Sequence, residues 1–169
     1  LIGFKTPDPV GVVERARQAI ELLPKTDRIR PSLAAHAPYS VAPLLFQEIQ
    51  RTVNLAPGAP CSVHLAESKE ELEFIRTGQG PWRVLLEEVG AWDPAWVAPG
   101  VSPVQYLDSC EFLSPRALAV HGVQMTPADL SRLAALGTTL VTCPRSNHYT
   151  GAGTPPIEKF YLSGVSVAV

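Results

Sequence analysis

A few polar residues carry most of the chemical potential of this 169-residue chain. His36 follows Leu33-Ala34-Ala35. His64 follows Cys61-Ser62-Val63, with Glu67 three residues later, and His121 follows Leu118-Ala119-Val120. A last polar group, Arg145-Ser146-Asn147-His148, comes after Val141-Thr142-Cys143-Pro144. A lone histidine of this kind is more often a satisfied core or rim residue, and His-x-x-Glu occurs by chance. The zinc-protease helix motif fails outright, since its second histidine is missing. Arg145 and Asn147 are readable as plain loop residues. The conjunction argues otherwise, because three of the four histidines take equivalent places after short apolar runs. Neutral imidazole is a good ligand for zinc, iron and similar ions, and a metal lowers the pKa of water toward neutrality. A nearby carboxylate that is not a ligand can shuttle protons, and a further histidine can hold the attacking water. His64, Glu67 and His121 can fill these three roles.

The elements that must position them are legible in the pattern. Five apolar segments read as strands: Pro31–Ala35, Cys61–Leu65, Ala117–His121, Thr138–Thr142 and Val165–Val169. Three are nearly continuous hydrophobic runs, as parallel strands covered on both faces would be. Helices lie between them. Asp8 with Pro9 opens one that carries Val13, Ala16, Ile20 and Leu23. Ser40 precedes a second, and Ser68 with Glu71 predicts a capping box. Ser102-Pro103 and Thr126-Pro127 start others, the latter stopping at Gly137. Pro156 to Leu162 reads as a last short helix before Gly164. Strand, loop and helix alternate without a hairpin signal, which implies parallel crossovers. The fold class is α/β: a partial (β/α)8 TIM-type barrel with parallel strands, whose strand ends meet at one mouth. An open doubly wound sheet is the alternative, though no Gly-rich dinucleotide fingerprint or P-loop supports it. The interval from Leu65 to Ala117 is too long for one crossover. It holds a Pro81–Val89 helix stopped by Gly90 and then a stretch rich in Pro and Trp before Ser102. That insertion is a lid, a packing arm or an oligomer contact.

Composition narrows the class. Apolar residues make up 46% and charged residues 18% of the chain, and mean hydropathy is +0.09, which excludes disorder. Net charge is −2 with scattered basic residues, so no nucleic-acid partner is expected. No apolar run is long enough to span a bilayer, and no membrane partner is expected. Cys61, Cys110 and Cys143 form neither a disulfide framework nor a zinc ribbon, and are read as thiols in a reducing cytoplasm.

Taken together, His36-Ala37-Pro38-Tyr39-Ser40, Val63-His64-Leu65-Ala66-Glu67, Ala119-Val120-His121-Gly122 and Cys143-Pro144-Arg145-Ser146-Asn147 resemble successive motifs of the amidohydrolase superfamily. The likeness is strongest to its deaminases and chlorohydrolases of nucleosides, purines and triazines, and it runs from Ile29 to Val169. It implies a barrel with one divalent metal, zinc or iron, and a small heterocyclic substrate. His36 would contact substrate, His64 would ligate the metal, Glu67 would shuttle protons and His121 would polarise the water. Asn147 and Arg145 would help form the substrate pocket. Cys143, Arg145 and His148 depart from the usual residues there, which bears on the substrate. The resemblance also implies a His-x-His pair upstream of Leu1 and a metal-binding aspartate after Val169. Residues 1–169 therefore read as a fragment, about strands four to eight of a single metal-dependent hydrolase barrel domain, inactive alone. The activity expected of the whole is ammonia release from a heteroaromatic ring. The rivals are hydrolytic dechlorination, cyclic-amide opening, or a catalytically dead barrel kept as scaffold or homo-oligomer partner.

Overall fold

Local chemistry sets most helix boundaries. In a computed structural model that describes residues 1–24, 26, 28–55 and 58–169, α1 spans Pro9–Glu21 and α2 Pro43–Leu55. Asp8 caps α1 by accepting from Gly11 N at 2.9 Å, with Pro9 in the first turn. The strand β1 (Cys61–Leu65) leads into α3 (Lys69–Thr77), α4 (Pro81–Glu88) and α5 (Pro103–Ser109). After β2 (Ala117–His121) come α6 (Pro127–Ala135) and β3 (Thr139–Val141), then α7 (Pro144–Thr150), α8 (Ile157–Ser163) and β4 (Val167–Ala168). Reciprocal boxes open α5 (Ser102 with Gln105) and α6 (Thr126 with Asp129).

The four strands form one sheet in the order β1-β2-β3-β4, every pair parallel, with Cys61 opposite Ala117 and Leu65 opposite His121. Each crossover is helical. This is the architecture of part of a (β/α)8 barrel. Phe46, Phe74, Phe112, Phe160, Leu107 and Leu130 are wholly buried between helices and sheet. Along β1 and β2 burial alternates: Cys61, Val63 and Leu65 are covered, while Ser62 and His64 are only half covered. Continuous burial was expected of these strands. Among the described residues the helices cover one face fully, and the other carries the polar groups. No helix among the described residues is long and apolar enough to cross a membrane.

Three expectations need correction. Pro31–Ala35 is extended beside β1 but is not a strand. Ala35 N donates to Ser62 O, yet His64 N donates to His36 O, so the bonding residue shifts by one and no regular ladder forms. His36 therefore follows an irregular segment. The Ser68–Glu71 box is half made: Ser68 accepts from Glu71 N, but the Glu71 side chain bonds elsewhere. The Arg145–His148 stretch is not loop but α7, a helix the sequence hides because Cys143 supplies no side-chain cap.

Of the three uses open to the Pro81–Ser102 segment, packing is the one its tryptophans make. Trp92 stacks on Phe4 at 5.6 Å between centroids, and Trp96 lies parallel to Phe74 at 5.0 Å. The Arg83 guanidinium sits 3.7 Å above the Trp92 ring.

Candidate active site

Two backbone turns at adjacent strand ends assemble the site. By strand alternation His121 should share the covered face of Ala117 and Ala119, opposite its partner Leu65. Its φ of +85° breaks the extended geometry, and its ring meets His64 on the other face instead. Such a φ is uncommon outside glycine. Gly122 follows at +66°, where a Cβ would lie 2.7 Å from Leu140 Cδ1, so only glycine fits without a shift. After β1, Ala66 at φ +51° turns the chain so that Glu67 faces the same group.

His64 Nδ1 lies 3.0 Å from His121 Nε2, with the rings 5.1 Å apart, and Glu67 Oε2 is 3.6 Å from the same Nε2. His121 Nδ1 is 2.7 Å from Asn147 Oδ1. An amide oxygen only accepts, so His121 donates from Nδ1, and in its singly protonated tautomer it accepts at Nε2. His64 must then donate from Nδ1, which leaves a lone pair on its Nε2. Burial, with His121 and His36 nearby, lowers the pKa of His64 and keeps that lone pair free at neutral pH, although Glu67 pulls the other way. One ligand atom each of His64, Glu67 and His121 falls within a 4.8 Å group able to hold a metal ion.

His36 joins from the side, its ring 5.3 Å from that of His64. Ser40 Oγ donates to Ala37 O, so it accepts the 2.7 Å bond from His36 Nδ1, and His36 Nε2 is an acceptor. Burial lowers the pKa of His36 as well. Asn147 is fully buried, and its Nδ2 has no hydrogen-bond partner among the described residues. Arg145 is exposed on α7, with no hydrogen bond or ion pair to this group.

Sequence reasoning missed three contributors. Glu71, wholly buried, accepts from Ala66 N at 2.8 Å and Glu67 N at 3.0 Å. Burial pushes its carboxyl up to about 8, against the pull of those two bonds. Its capping-box spacing was the visible signal, and it misled. Tyr39 and Trp82 stack at 3.9 Å and 7°, and Tyr39 meets His36 edge-on at 5.8 Å. They wall a cleft of about 630 Å³ beside Glu67. Sequence spacing gave no sign of that pairing, since it joins distant segments. A smaller cavity of about 390 Å³ among Phe4, Pro43, Trp96 and Tyr106 shares none of the polar cluster.

Parallel strands with helical crossovers, and an imidazole–carboxylate group at their ends, define part of a (β/α)8-type barrel with a polar cluster at its mouth. The amidohydrolase family model matches residues 5–169, and the chain belongs to that family. It is 36% identical over 170 residues to the aminodeoxyfutalosine deaminase of Deinococcus radiodurans, an alignment covering 94% of this chain and 40% of that protein. Its backbone superposes on an aminofutalosine deaminase from Helicobacter pylori with a TM-score of 0.83, at 22% identity, covering 99% of this chain and 42% of that one. It also superposes on an adenosine deaminase from Xanthomonas campestris with bound zinc, with a TM-score of 0.67 and 24% identity, over 92% and 31%. The chain thus spans about two fifths or less of each.

Proposed function

We propose that the chain is part of a single barrel domain of an aminohydrolase, releasing ammonia from the heteroaromatic ring of a purine-like nucleoside. The observation that carries this reading is the meeting of His64, Glu67 and His121 within 4.8 Å beside an aromatic-walled cleft. The names of the relatives, deaminases of aminodeoxyfutalosine and adenosine, support the substrate class.

The donor set fits one divalent cation, and zinc is favoured by the zinc-bound neighbour. The free Nε2 of His64 is the ligand atom this chain would contribute. Such an ion supplies Lewis acidity, which makes water a competent nucleophile at neutral pH. His121, held at Nδ1 by Asn147, would orient the water when its Nε2 exchanges the His64 bond for one to water. Glu67 would carry a proton to the ring nitrogen beside the amine-bearing carbon. Oxygen from water replaces the amine, which departs as ammonia. His36 Nε2 would accept from a donor on the substrate, Asn147 would act on it through His121, and the Tyr39–Trp82 wall would cover its apolar part. Arg145 stands outside the lining of that cleft. The three free thiols suit a reducing cytoplasm, where we place the enzyme.

The test uses the complete metal-loaded enzyme with adenosine-type ring amines and chlorotriazines. Ammonia release from the amines is expected, and chloride release from the triazines alone would move the reaction to dechlorination. Glu67→Gln should lower turnover by about 10²- to 10⁴-fold with metal retained. His64→Ala should lose metal and turnover together. Equal metal loss in both variants would contradict these roles.

A further inference from the structure

Glu71 occupies the third position of α3, where a glutamate ordinarily reaches back to the N-cap amide. It passes over Ser68 N and instead gives one oxygen to Ala66 N and the other to Glu67 N. A carboxyl group without solvent is costly to bury. Part of that cost is offset by the pair of N–H donors and the positive end of α3. Both donors belong to the turn that carries Glu67. That turn holds Ala66 at φ +51°, a conformation that persists only where its surroundings over-determine it. Gln124 N completes the restraint by donating to Ala66 O at 2.8 Å, which ties the turn to the exit of β2.

We propose that Glu71 is a positioning residue for Glu67: its two-oxygen clamp on the Ala66 and Glu67 amides sets where the Glu67 carboxylate stands against His121. The inference rests on the deaminase reading for its effect on turnover, but not for the clamp itself. Both oxygens must act as acceptors. Glutamine offers one oxygen and one NH₂ group, so one amide of the turn faces another donor. Aspartate keeps two carboxyl oxygens but is one methylene short of spanning both amides. Glu67 then drifts, and small misplacements of a proton-transfer group are felt in kcat.

The experiment compares wild type, Glu71→Gln and Glu71→Asp in the complete metal-loaded enzyme. Each variant should lower kcat on the order of 10- to 100-fold, with KM and metal content within about twofold of wild type. Combined with Glu67→Gln, Glu71→Gln should cause no further loss, because there is no carboxylate left to position. Amide hydrogen exchange should quicken at Ala66 and Glu67 while Phe74 and Ile75 stay protected. Ile75→Val weakens the same helix without touching the clamp, and it should keep wild-type kcat. Losses that multiply in the double variant, or kcat that falls equally in Ile75→Val, would overturn the positioning role. Unchanged exchange at Ala66 and Glu67 would overturn the clamp whatever the activity. A wild type that releases no ammonia from any ring amine would instead overturn the deaminase reading.

Discussion

The strand ends of β1 and β2 and the aromatic arm from Trp92 to Trp96 are built on opposite terms. At the strand ends, Ala66 and His121 sit at positive φ, and a carboxylate is wholly buried. Trp82 Nε1 and Asn147 Nδ2 are buried there without partners among the described residues. Each feature raises the free energy of the fold. In the arm, Phe4, Phe74, Trp92 and Trp96 meet one another with centroids 5.0–6.3 Å apart, in edge and stacked contacts that lower it. The two regions share a helix: α3 presents Phe74 to the arm and Glu71 to the turn of Glu67. Strain that holds reactive groups is thus anchored on a helix that Phe74 packs into the aromatic cluster.

The comparison breaks most easily at Trp96. Trp96→Ala removes a ring packed on Phe4, Phe74 and Trp92, and it should cost about 3 kcal/mol of stability, read from a denaturant midpoint. Catalytic constants per folded molecule and metal content should not move. If they fall with stability, the two regions are not separable. Gly122→Ala works at the junction and should cost about 2 kcal/mol, from its left-handed φ and the close approach of Leu140. Because Gly122 N also donates to Leu65 O beside His121, turnover should fall with it. A fully active but destabilised Gly122→Ala would show that the His121 turn does not need its neighbour's conformation.

The difference between the regions also explains what the sequence could reveal. Caps at Asp8, Ser102 and Thr126 and stops at Gly137 and Gly164 are local chemistry, and the structure has each of them. Parallel β1 and β2 were legible for the same reason, as short apolar runs between helices. The identity of His64, Glu67 and His121 as one group followed from their places after those runs. How they meet did not. The reversal of His121 across the sheet depends on one dihedral, which no alternation pattern encodes. Glu71 obeys the spacing of a capping box while its side chain serves a different turn. The extended 31–35 segment has strand composition, but it slips by one residue against β1 and so misses the ladder. Non-local choices of this kind are made by packing, and propensity does not register them.

The smallest expected effect lies at His36, and it sharpens the comparison from the site's side. The Nδ1 of His36 is committed to Ser40, while its Nε2 is free to accept. Asparagine can place a donor near the position of Nδ1 and keep the Ser40 bond, but it has nothing at the position of Nε2. His36→Asn therefore deletes the outward acceptor with little change to the fold, and stability should stay within about 1 kcal/mol. If that acceptor reads a donor on the substrate, KM should rise several-fold, with metal content unchanged and kcat altered less than KM. The lowered pKa of His36 gives the sign of the pH dependence. Above it the ring is neutral and Nε2 accepts; below it Nε2–H is a donor and binding weakens. Wild-type KM should accordingly rise as pH falls through that value, and the His36→Asn KM should stay flat across the same range. A KM for His36→Asn equal to wild type at every pH would remove His36 from the pocket and leave it a structural partner of Ser40.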